Sequence, residues 1–398
     1  MDTPWMAPAG AATLQEAQRP EAGGRPPSGD ARRIAVPYPR REASPPHELA
    51  SQDALARRLA GLLGLECVTD YDPSIRPAVG SVYYVPAATL VDGPETQALG
   101  VTGPRDLFGG VVPHAFVGTK AITHPLPGRA RMPRGWSTQF GAQVRDAVLR
   151  GQTVFTLADA RRAGAALLRQ GPLRVKPVQG TGGRGQSLVR DRAALDVALE
   201  GLRAEDLAEC GLVLEEHLEE VRTYSVGHVQ VGGLAMSYVG TQELTRDNAG
   251  ELVYGGSRLL CARGGFEALM ALELGADERR AAELACRYDA AALACYPGLY
   301  ASRRNYDVAQ GRDAHGRPRM GVLEQSWRAG GASLAEACAL QALQADPALR
   351  TVRAYARERY GPGAPDAPAD PAALVYRGQD TEVGPISKYA GIASHGDG

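Results

Sequence analysis

The sequence contains very little lysine. Of its 44 basic residues only Lys120, Lys176 and Lys388 are lysines, which leaves 41 arginines. Arginine binds planar anions through a rigid fork, whereas lysine supplies a compact and flexible point charge. Two interpretations are open at this point. The three lysines stand where a point charge is needed, or they are the survivors of a codon bias toward arginine.

The chain also lacks a net charge and a long apolar run. The 44 basic residues face 45 acidic ones, for a formal charge of −1. Such a balance provides no overall positive field for nucleic acid or an anionic membrane, so we expect neither partner. No apolar stretch approaches the ~18–20 residues that span a bilayer. The N-terminus does not have the charged segment followed by an apolar segment that is typical of a signal peptide. We therefore expect a cytoplasmic protein.

Cysteine is sparse, and its spacing is irregular. None of the six cysteines belongs to a C-x-x-C pair. This spacing argues against a zinc ribbon and against a disulfide framework. It is consistent with the reducing cytoplasm expected above.

The length predicts more than one lobe, because single cores stop growing near ~250–300 residues. Residues 1–33 are rich in Pro, Gly and Ala and are expected to be a disordered leader. Residues 34–114 alternate strand and helix patterns, which predicts a small α/β lobe. Residues 115–360 are expected to form the main domain. Residues 361–398 are predicted to be a turn-rich C-terminal tail that carries Lys388.

Within the main domain the apolar spacing predicts further elements. Helices are expected near 143–149, 157–169, 191–202 and 277–295, and a Ser333–Glu336 capping box is expected to open another. Strands are expected near 173–177, 187–189, 212–215, 306–308 and 322–325. Residues 223–240 alternate like paired strands, and a loop is expected near 245–256.

The sharpest local motif is a glycine-rich turn directly after a strand that ends in Lys176. Its glycines are Gly180, Gly182, Gly183 and Gly185. Glycine lets backbone N–H groups approach an anion closely, as in a flap over polyphosphate. The motif is not a Walker loop, because no Gly-Lys-Ser/Thr follows. The alternative is an ordinary glycine-rich hairpin with a surface lysine.

Carboxylates recur at strand ends farther along. Glu215 ends an apolar strand, and Asp307 and Glu324 lie on two strands that form a plausible hairpin. Paired carboxylates are the ligands that a protein usually contributes to a magnesium site. Arg328 follows closely and suits a phosphate. The alternative, for each acid alone, is a solvated strand edge.

The order of these features resembles the ATP-grasp superfamily over about residues 115–345. The resemblance implies an ATP-grasp fold, in the α/β (α+β) class, with a small N-terminal α/β lobe followed by two α+β lobes that enclose the nucleotide. Two of only three lysines fall on lysine positions of that family. The sequence departs from the family at Ser326, where asparagine is usual, and at Arg222, where a ribose-binding carboxylate is often found.

The resemblance also implies roles for single residues. Binding of ATP falls to Lys120, Lys176, Gly180, Gly182, Gly183, Gly185, Glu215 and the backbone near His217 and Leu218. Binding of Mg²⁺, which Mn²⁺ can replace, falls to Asp307, Glu324 and Ser326. Catalytic contacts with the transferred phosphoryl group or the reacting carboxylate fall to Arg328, Arg303 and Lys176.

The activity implied is that of an ATP- and magnesium-dependent ligase. Such an enzyme joins a carboxylate to an amine through an acylphosphate and releases ADP and phosphate. The substrates are expected to be small molecules, and a homodimer is the commonest assembly for such a chain. Two alternatives remain open: a phosphotransferase that acts on a small molecule, and a catalytically silent ATP-binding regulator.

Overall fold

Within the residues that the structure describes, the strands assemble into sheets of three, eight, three and four strands. A computed structural model describes residues 33–39, 44–72, 80–178, 185–361 and 373–393. Helices occur together with parallel and antiparallel strand pairs. This mixture confirms the predicted α/β (α+β) class.

The N-terminal lobe is built around a small parallel sheet. Its strands are β1 (Ile34–Tyr38), β2 (Glu66–Cys67) and β3 (Val82–Pro86), in the order β2-β1-β3. Helix α1 (Pro46–Leu63) connects the first two, and its buried Leu55, Leu59 and Leu62 recur at helical spacing. Gly64 ends the helix in the left-handed conformation, with φ of 66°.

A second small sheet joins this lobe to the later part of the chain. It contains β4 (Leu90–Val91), β5 (Gly110–Val112) and β13 (Tyr300–Ala301), with β5 in the middle. The short helix α2 (Pro94–Ala98) lies between β4 and β5 in the chain.

The third sheet has four antiparallel strands in the order β6-β9-β7-β8. They are β6 (Gly151–Val154), β7 (Leu173–Pro177), β8 (Ser187–Val189) and β9 (Leu212–Glu216). The helices of this region are α3 (Thr138–Gln143), α4 (Leu157–Leu168), α5 (Arg192–Leu199) and α6 (Ala204–Cys210). Helices α4 and α5 pack on the sheet through a separate apolar cluster that includes Leu167, Leu195 and Leu214.

The largest sheet is antiparallel throughout, with the order β15-β14-β10-β11-β12-β16-β18-β17. Its strands are β10 (Glu219–Val231), β11 (Leu234–Arg246), β12 (Leu252–Arg263), β14 (Arg303–Arg312), β15 (Pro318–Ser326), β16 (Thr351–Tyr360), β17 (Leu374–Asp380) and β18 (Gly384–Ile392). The helices α7 (Phe266–Met270) and α8 (Ala276–Cys295) lie between β12 and β14 in the chain, and α9 (Ser333–Ala345) lies between β15 and β16.

Helices α8 and α9 cover opposite faces of the largest sheet. Tyr306 of β14 packs in one apolar cluster with Tyr288 of α8. Leu259 of β12 packs in another cluster with Leu340 of α9. Neighbouring residues of a strand point to opposite faces, so Asp307 lies on the face that α9 covers.

Several sequence predictions are wrong in detail. The loop expected near 245–256 is shorter and lies between β11, which ends at Arg246, and β12, which begins at Leu252. The helix expected at 143–149 is replaced by α3, which ends at Gln143. Segment 374–392 forms strands β17 and β18 where the sequence indicated a turn-rich tail. Pairing of β18 with β16 supplies hydrogen bonds that no local pattern reveals.

Lys388 therefore lies in a sheet. It is opposite Glu358 of β16, and its Nζ forms a salt bridge of 3.0 Å with that carboxylate. The leader predicted for residues 1–33 lies outside the described residues except for Arg33. Among the described residues, none of the helices is long and apolar enough to cross a membrane.

Gly240 gives a test of the packing inside the largest sheet. A Cβ at this position would lie 1.9 Å from the carbonyl oxygen of Arg258 on the neighbouring strand. That strand is held on its other side by β16 and has no room to retreat. We expect Gly240→Ala to lower the free energy of unfolding by about 2 kcal/mol, measured by urea denaturation.

Gly61 of α1 supplies the matched control. A Cβ there meets nothing within 4 Å, so Gly61→Ala is expected to be neutral or to stabilise the chain by up to about 1 kcal/mol. Equal stability of the two variants would contradict the register of β11 against β12.

Candidate functional site

Two carboxylates face each other on the hairpin of β14 and β15. Asp307 is directly opposite Glu324 in the strand register, and directly opposed residues lie on the same face. The predicted adjacency of these two acids is confirmed. A register shift follows at once, since Val308 pairs with Val322 and Leu323 is the extra residue. Such bulges aim side chains locally and recur beside active sites.

Asp307 is half-buried in a polar environment. Its Oδ1 accepts hydrogen bonds from Gln242 Nε2 at 2.7 Å and from Asn305 Nδ2 at 3.0 Å. Burial and the negative charge of Glu324 raise the pKa of Asp307 to about 6, although both hydrogen bonds act in the opposite direction. Two carboxylates in mutual repulsion are stabilised by a cation between them.

The donor chemistry of this hairpin fits magnesium in part. Asp307 and Glu324 supply hard anionic oxygens, which Mg²⁺ prefers. Ser326 lies two residues beyond Glu324, but its Oγ accepts a hydrogen bond from Arg303 at 3.4 Å. In the part of the chain described here, no group of three or more His, Cys, Asp or Glu side chains has metal-binding geometry. Phosphate oxygens and water would therefore supply the remaining ligands.

Lys120 reaches the same hairpin from a distant segment. It begins a short 3₁₀ turn, Lys120–Thr123, which the Thr119 side chain caps. Gln325 donates to the carbonyl oxygens of Val117 and Thr119 and holds this turn against β15. As a result Lys120 Nζ lies 2.7 Å from Glu324 Oε2.

Lys176 and Glu215 form a second cluster in the four-stranded sheet. Lys176 Nζ forms a salt bridge with Glu215 Oε1, and His124 Nε2 lies 2.9 Å from Glu215 Oε2. All three side chains are buried. Burial alone would raise the pKa of Glu215, but the charge of Lys176 and the contact with His124 outweigh it and hold the pKa at about 2.

This geometry changes the interpretation of Glu215. The resemblance implied that Glu215 contacts adenine, yet its side chain is only 2% exposed and enclosed by Lys176 and His124. In this structure it positions Lys176. The nearby backbone N–H of His217 donates to Pro172 at 3.0 Å.

The segment after Glu215 is apolar on its inner side. Leu218 packs with Leu149 and Ala309 in a small buried cluster, with Leu323 against it. Arg222, where the family often has a ribose-binding acid, lies over the ring of Tyr224 at 5.9 Å from its centroid.

Most of the glycine-rich turn lies outside the described residues, which include none of Gly180, Gly182 and Gly183. Gly185 is described and has φ of 72°, a conformation that favours glycine. It lies two residues before β8. The predicted flap over the phosphates stays a prediction.

Arg303 is enclosed by the protein and only 1% exposed. Its Nε and Nη2 donate to Glu336 of α9 at 2.8 and 2.7 Å. Its Nη1 donates to the carbonyl oxygens of Ser326 and Arg328 at 3.1 and 2.5 Å. All three nitrogens have protein acceptors, so the structure gives Arg303 a positioning role and does not support the predicted catalytic contact.

Arg328 lies near the carboxylates. Burial and the positive charge of Arg303 lower the pKa of its guanidinium, whereas the charges of Glu324 and Asp307 act in the opposite direction. Its Nη1 donates to the carbonyl oxygen of Ala329 at 2.7 Å. Arg328 therefore remains a candidate for contact with a phosphoryl group.

Sequence reasoning missed the residues that support Asp307. The Tyr238 hydroxyl lies 2.6 Å from Glu336 Oε1 and 2.7 Å from Asn305 Oδ1. Asn305 in turn donates to Asp307. The spacing of Asn305 and Asp307 on one strand face was a usable signal. The sequence pattern assigned Glu336 to a capping box, and so its pairing with Arg303 was missed. The capping box does not form, because the residue preceding α9 is Ala332 and Glu336 is turned inward.

Glu215 gives a pH test of the second cluster. We expect Glu215→Gln to lower the free energy of unfolding by about 3 kcal/mol at neutral pH, because it leaves Lys176 buried without a counter-charge. A carboxyl whose pKa falls on folding stabilises the protein above its unfolded pKa, and loses that effect as pH falls.

The difference between wild type and Glu215→Gln should therefore shrink as pH falls from the ordinary carboxyl pKa of 4.5 toward about 2. Urea denaturation at neutral pH and at two acidic pH values measures it. A difference that stays constant over this range would mean that Glu215 is not ionised in the folded protein.

Comparison with solved structures gives distant matches to ATP-grasp enzymes. Biotin carboxylase from Campylobacter jejuni is 12% identical with a TM-score of 0.46, and covers 91% of this chain and 87% of that one. Carboxyaminoimidazole ribonucleotide synthase from Aspergillus clavatus is 12% identical with a TM-score of 0.48, and the match covers 91% of this chain and 94% of that one. Phosphoribosylamine–glycine ligase from Thermotoga maritima is 14% identical with a TM-score of 0.46, and the match covers 91% of this chain and 92% of that one.

Likeness at this level concerns the fold alone and carries no information about substrates. Comparison of the sequence with curated proteins gives no significant match. One protein-family model, described as a protein of unknown function (DUF3182), matches residues 35–390. That match includes both lysine–glutamate clusters and the carboxylate hairpin, and the chain belongs to the DUF3182 family.

Proposed function

We propose that this chain is an ATP- and magnesium-dependent ligase that joins a carboxylate to an amine. The observation that carries the proposal is the meeting of Lys120 with Glu324 directly beside Asp307. The ammonium group of Lys120 comes from a distant segment and meets the two carboxylates of the hairpin on one face of the sheet. This is the combination that a metal–polyphosphate complex requires.

The lysines are suited to phosphate binding. Lys120 and Lys176 are both buried, and each forms a salt bridge with a glutamate. Triphosphate brings more negative charge than a single carboxylate, so each ammonium group gains by turning to a phosphate oxygen. The glutamates hold the lysines in place until the nucleotide binds.

Asp307 and Glu324 would hold Mg²⁺, with phosphate oxygens in the remaining positions. The metal, when bound, neutralises charge on the transferring phosphoryl group. Arg328, close to both carboxylates, would bind the γ-phosphoryl oxygens. Leu218 and its apolar neighbours would contact the base.

The proposed reaction has two steps. A carboxylate oxygen of the substrate attacks the γ-phosphorus of ATP, the bond to the bridging oxygen breaks, and ADP leaves. The amine then attacks the acyl carbon, phosphate leaves with the bond electrons, and the amine proton passes to solvent. This chemistry depends on positioning and charge neutralisation and needs no protein nucleophile.

Lys176→Ala tests nucleotide binding. ATP with Mg²⁺ at about 100 times the dissociation constant should add about 2.7 kcal/mol to the free energy of unfolding of the wild type. We expect the variant to lose most of this gain, because it lacks the buried ammonium group. Thermal melting with ATP and Mg²⁺, with ATP alone and with Mg²⁺ alone measures it, each against the same protein without ligand.

Lys388→Ala is the matched control, since Lys388 is also paired with a glutamate but lies in β18. It should keep the full gain. No gain in the wild type, or an equal gain in Lys176→Ala, would refute the nucleotide site.

Glu324→Gln tests the metal site and the reaction class. We expect it to bind ATP, to lose the dependence of binding on Mg²⁺, and to lose turnover by about a hundredfold or more. Glu358→Gln, in which the partner of Lys388 is changed, should retain turnover. The assay follows ADP and phosphate over panels of carboxylates and amines.

Release of ADP together with phosphate, only when both substrates are present, supports the ligase. Release of ADP without phosphate would identify a phosphotransferase. ATP binding without turnover under any substrate pair would favour a regulatory protein.

A further inference from the structure

A cleft of about 770 Å³ opens beside α3 and the start of β6. One wall is the helix face of α3 that carries Thr138, Gly141 and Ala142. Another wall is the start of β15. Neither of the nucleotide lysines lines this cleft, and neither does Asp307 or Glu324. Its volume lies in the range of ligand sites for small molecules.

The charged lining of the cleft is entirely basic. Arg145, Arg150, Arg317 and Arg319 line it, and no Asp or Glu is among its lining residues. Four guanidinium groups around one cleft repel one another unless anions compensate them.

The neighbouring carboxylates compensate only half of this charge. Glu216 is shared, with Arg150 Nη2 at 3.2 Å and Arg319 Nη2 at 2.9 Å. Arg317 pairs with Asp313 of its own hairpin at 2.8 Å. Within the described ranges Arg145 forms no salt bridge, and the adjacent Asp146 pairs with Arg287 at 3.6 Å. The buried Nε of Arg150 has no hydrogen-bond acceptor. Four positive charges against two negative ones leave an excess of two.

The apolar lining gives the cleft a second feature. Trp136 lines it and is held by Phe116 and Phe155, with ring centroids 5.6 Å away in each case. Gly141 and Ala142 lie on the opposite wall, where these small residues leave room for a ligand. A ligand with a flat apolar body and a doubly charged anionic group matches both features.

We propose that this cleft binds a small organic phosphate monoester. The phosphate dianion, which carries about two charges near neutral pH, is held by Arg145 and Arg317, and the organic group packs on Trp136. The site is separate from the proposed nucleotide site. Glu215 and Glu216 are neighbours on β9 and point to opposite faces, one toward Lys176 and the other toward these arginines.

Phenyl phosphate is the probe, because it combines an aromatic ring with a phosphate dianion. Isothermal titration of the full chain should give binding that weakens with added salt. Arg145→Ala and Arg317→Ala should each weaken it by about tenfold, as expected for a charge-assisted hydrogen bond. Both arginines are exposed, so the variants are expected to fold. Arg280→Ala, an exposed arginine on α8 paired with Glu283, should leave binding unchanged.

Two further arms separate this site from the nucleotide site. Phenyl phosphate should bind equally well to Lys176→Ala and in the presence of saturating ADP. Loss of binding in Lys176→Ala with retention in Arg145→Ala would place the phosphate at the nucleotide lysines and overturn the proposal. Absence of binding to the wild type, or equal affinity of all arginine variants, would overturn it as well.

Discussion

The buried ion pair between Arg303 and Glu336 is the interaction on which the candidate site depends. It joins β14 to α9, and the same guanidinium holds the carbonyl oxygens of Ser326 and Arg328. From Glu336 a line of contacts runs through Tyr238 and Asn305 to Asp307. Removing one partner of such a buried pair leaves an uncompensated charge and destabilises a fold strongly. The position of Asp307 therefore depends on a helix that follows it in the chain.

Charge compensation recurs throughout the molecule. Each of the three lysines forms a salt bridge with a glutamate: Lys120 with Glu324, Lys176 with Glu215 and Lys388 with Glu358. Burying an ammonium group without a partner is costly. In the proposed nucleotide site Glu324 and Glu215 meet this constraint, because each pairs with a lysine.

Strand β9 contacts two separate groups of basic residues, because its side chains alternate between the two faces of the sheet. Glu215 faces the buried Lys176 and His124, and Glu216 faces Arg150 and Arg319. Adjacent residues of a strand point to opposite sides. One short strand therefore contributes a carboxylate to the proposed nucleotide site and another to the arginine-lined cleft.

Local sequence patterns determined much of this protein. The helical spacing in α1 and α8, the strand that carries Lys176, and the hairpin that sets Asp307 beside Glu324 all follow from periodicity and turn chemistry. Those features depend on residues close in the chain. Only the tertiary structure decided that Glu336 pairs with Arg303, that Glu215 pairs with Lys176, and that segment 374–392 joins the large sheet. These outcomes depend on which distant groups must share a buried space, because an unpaired charge or an unpaired backbone group is costly there.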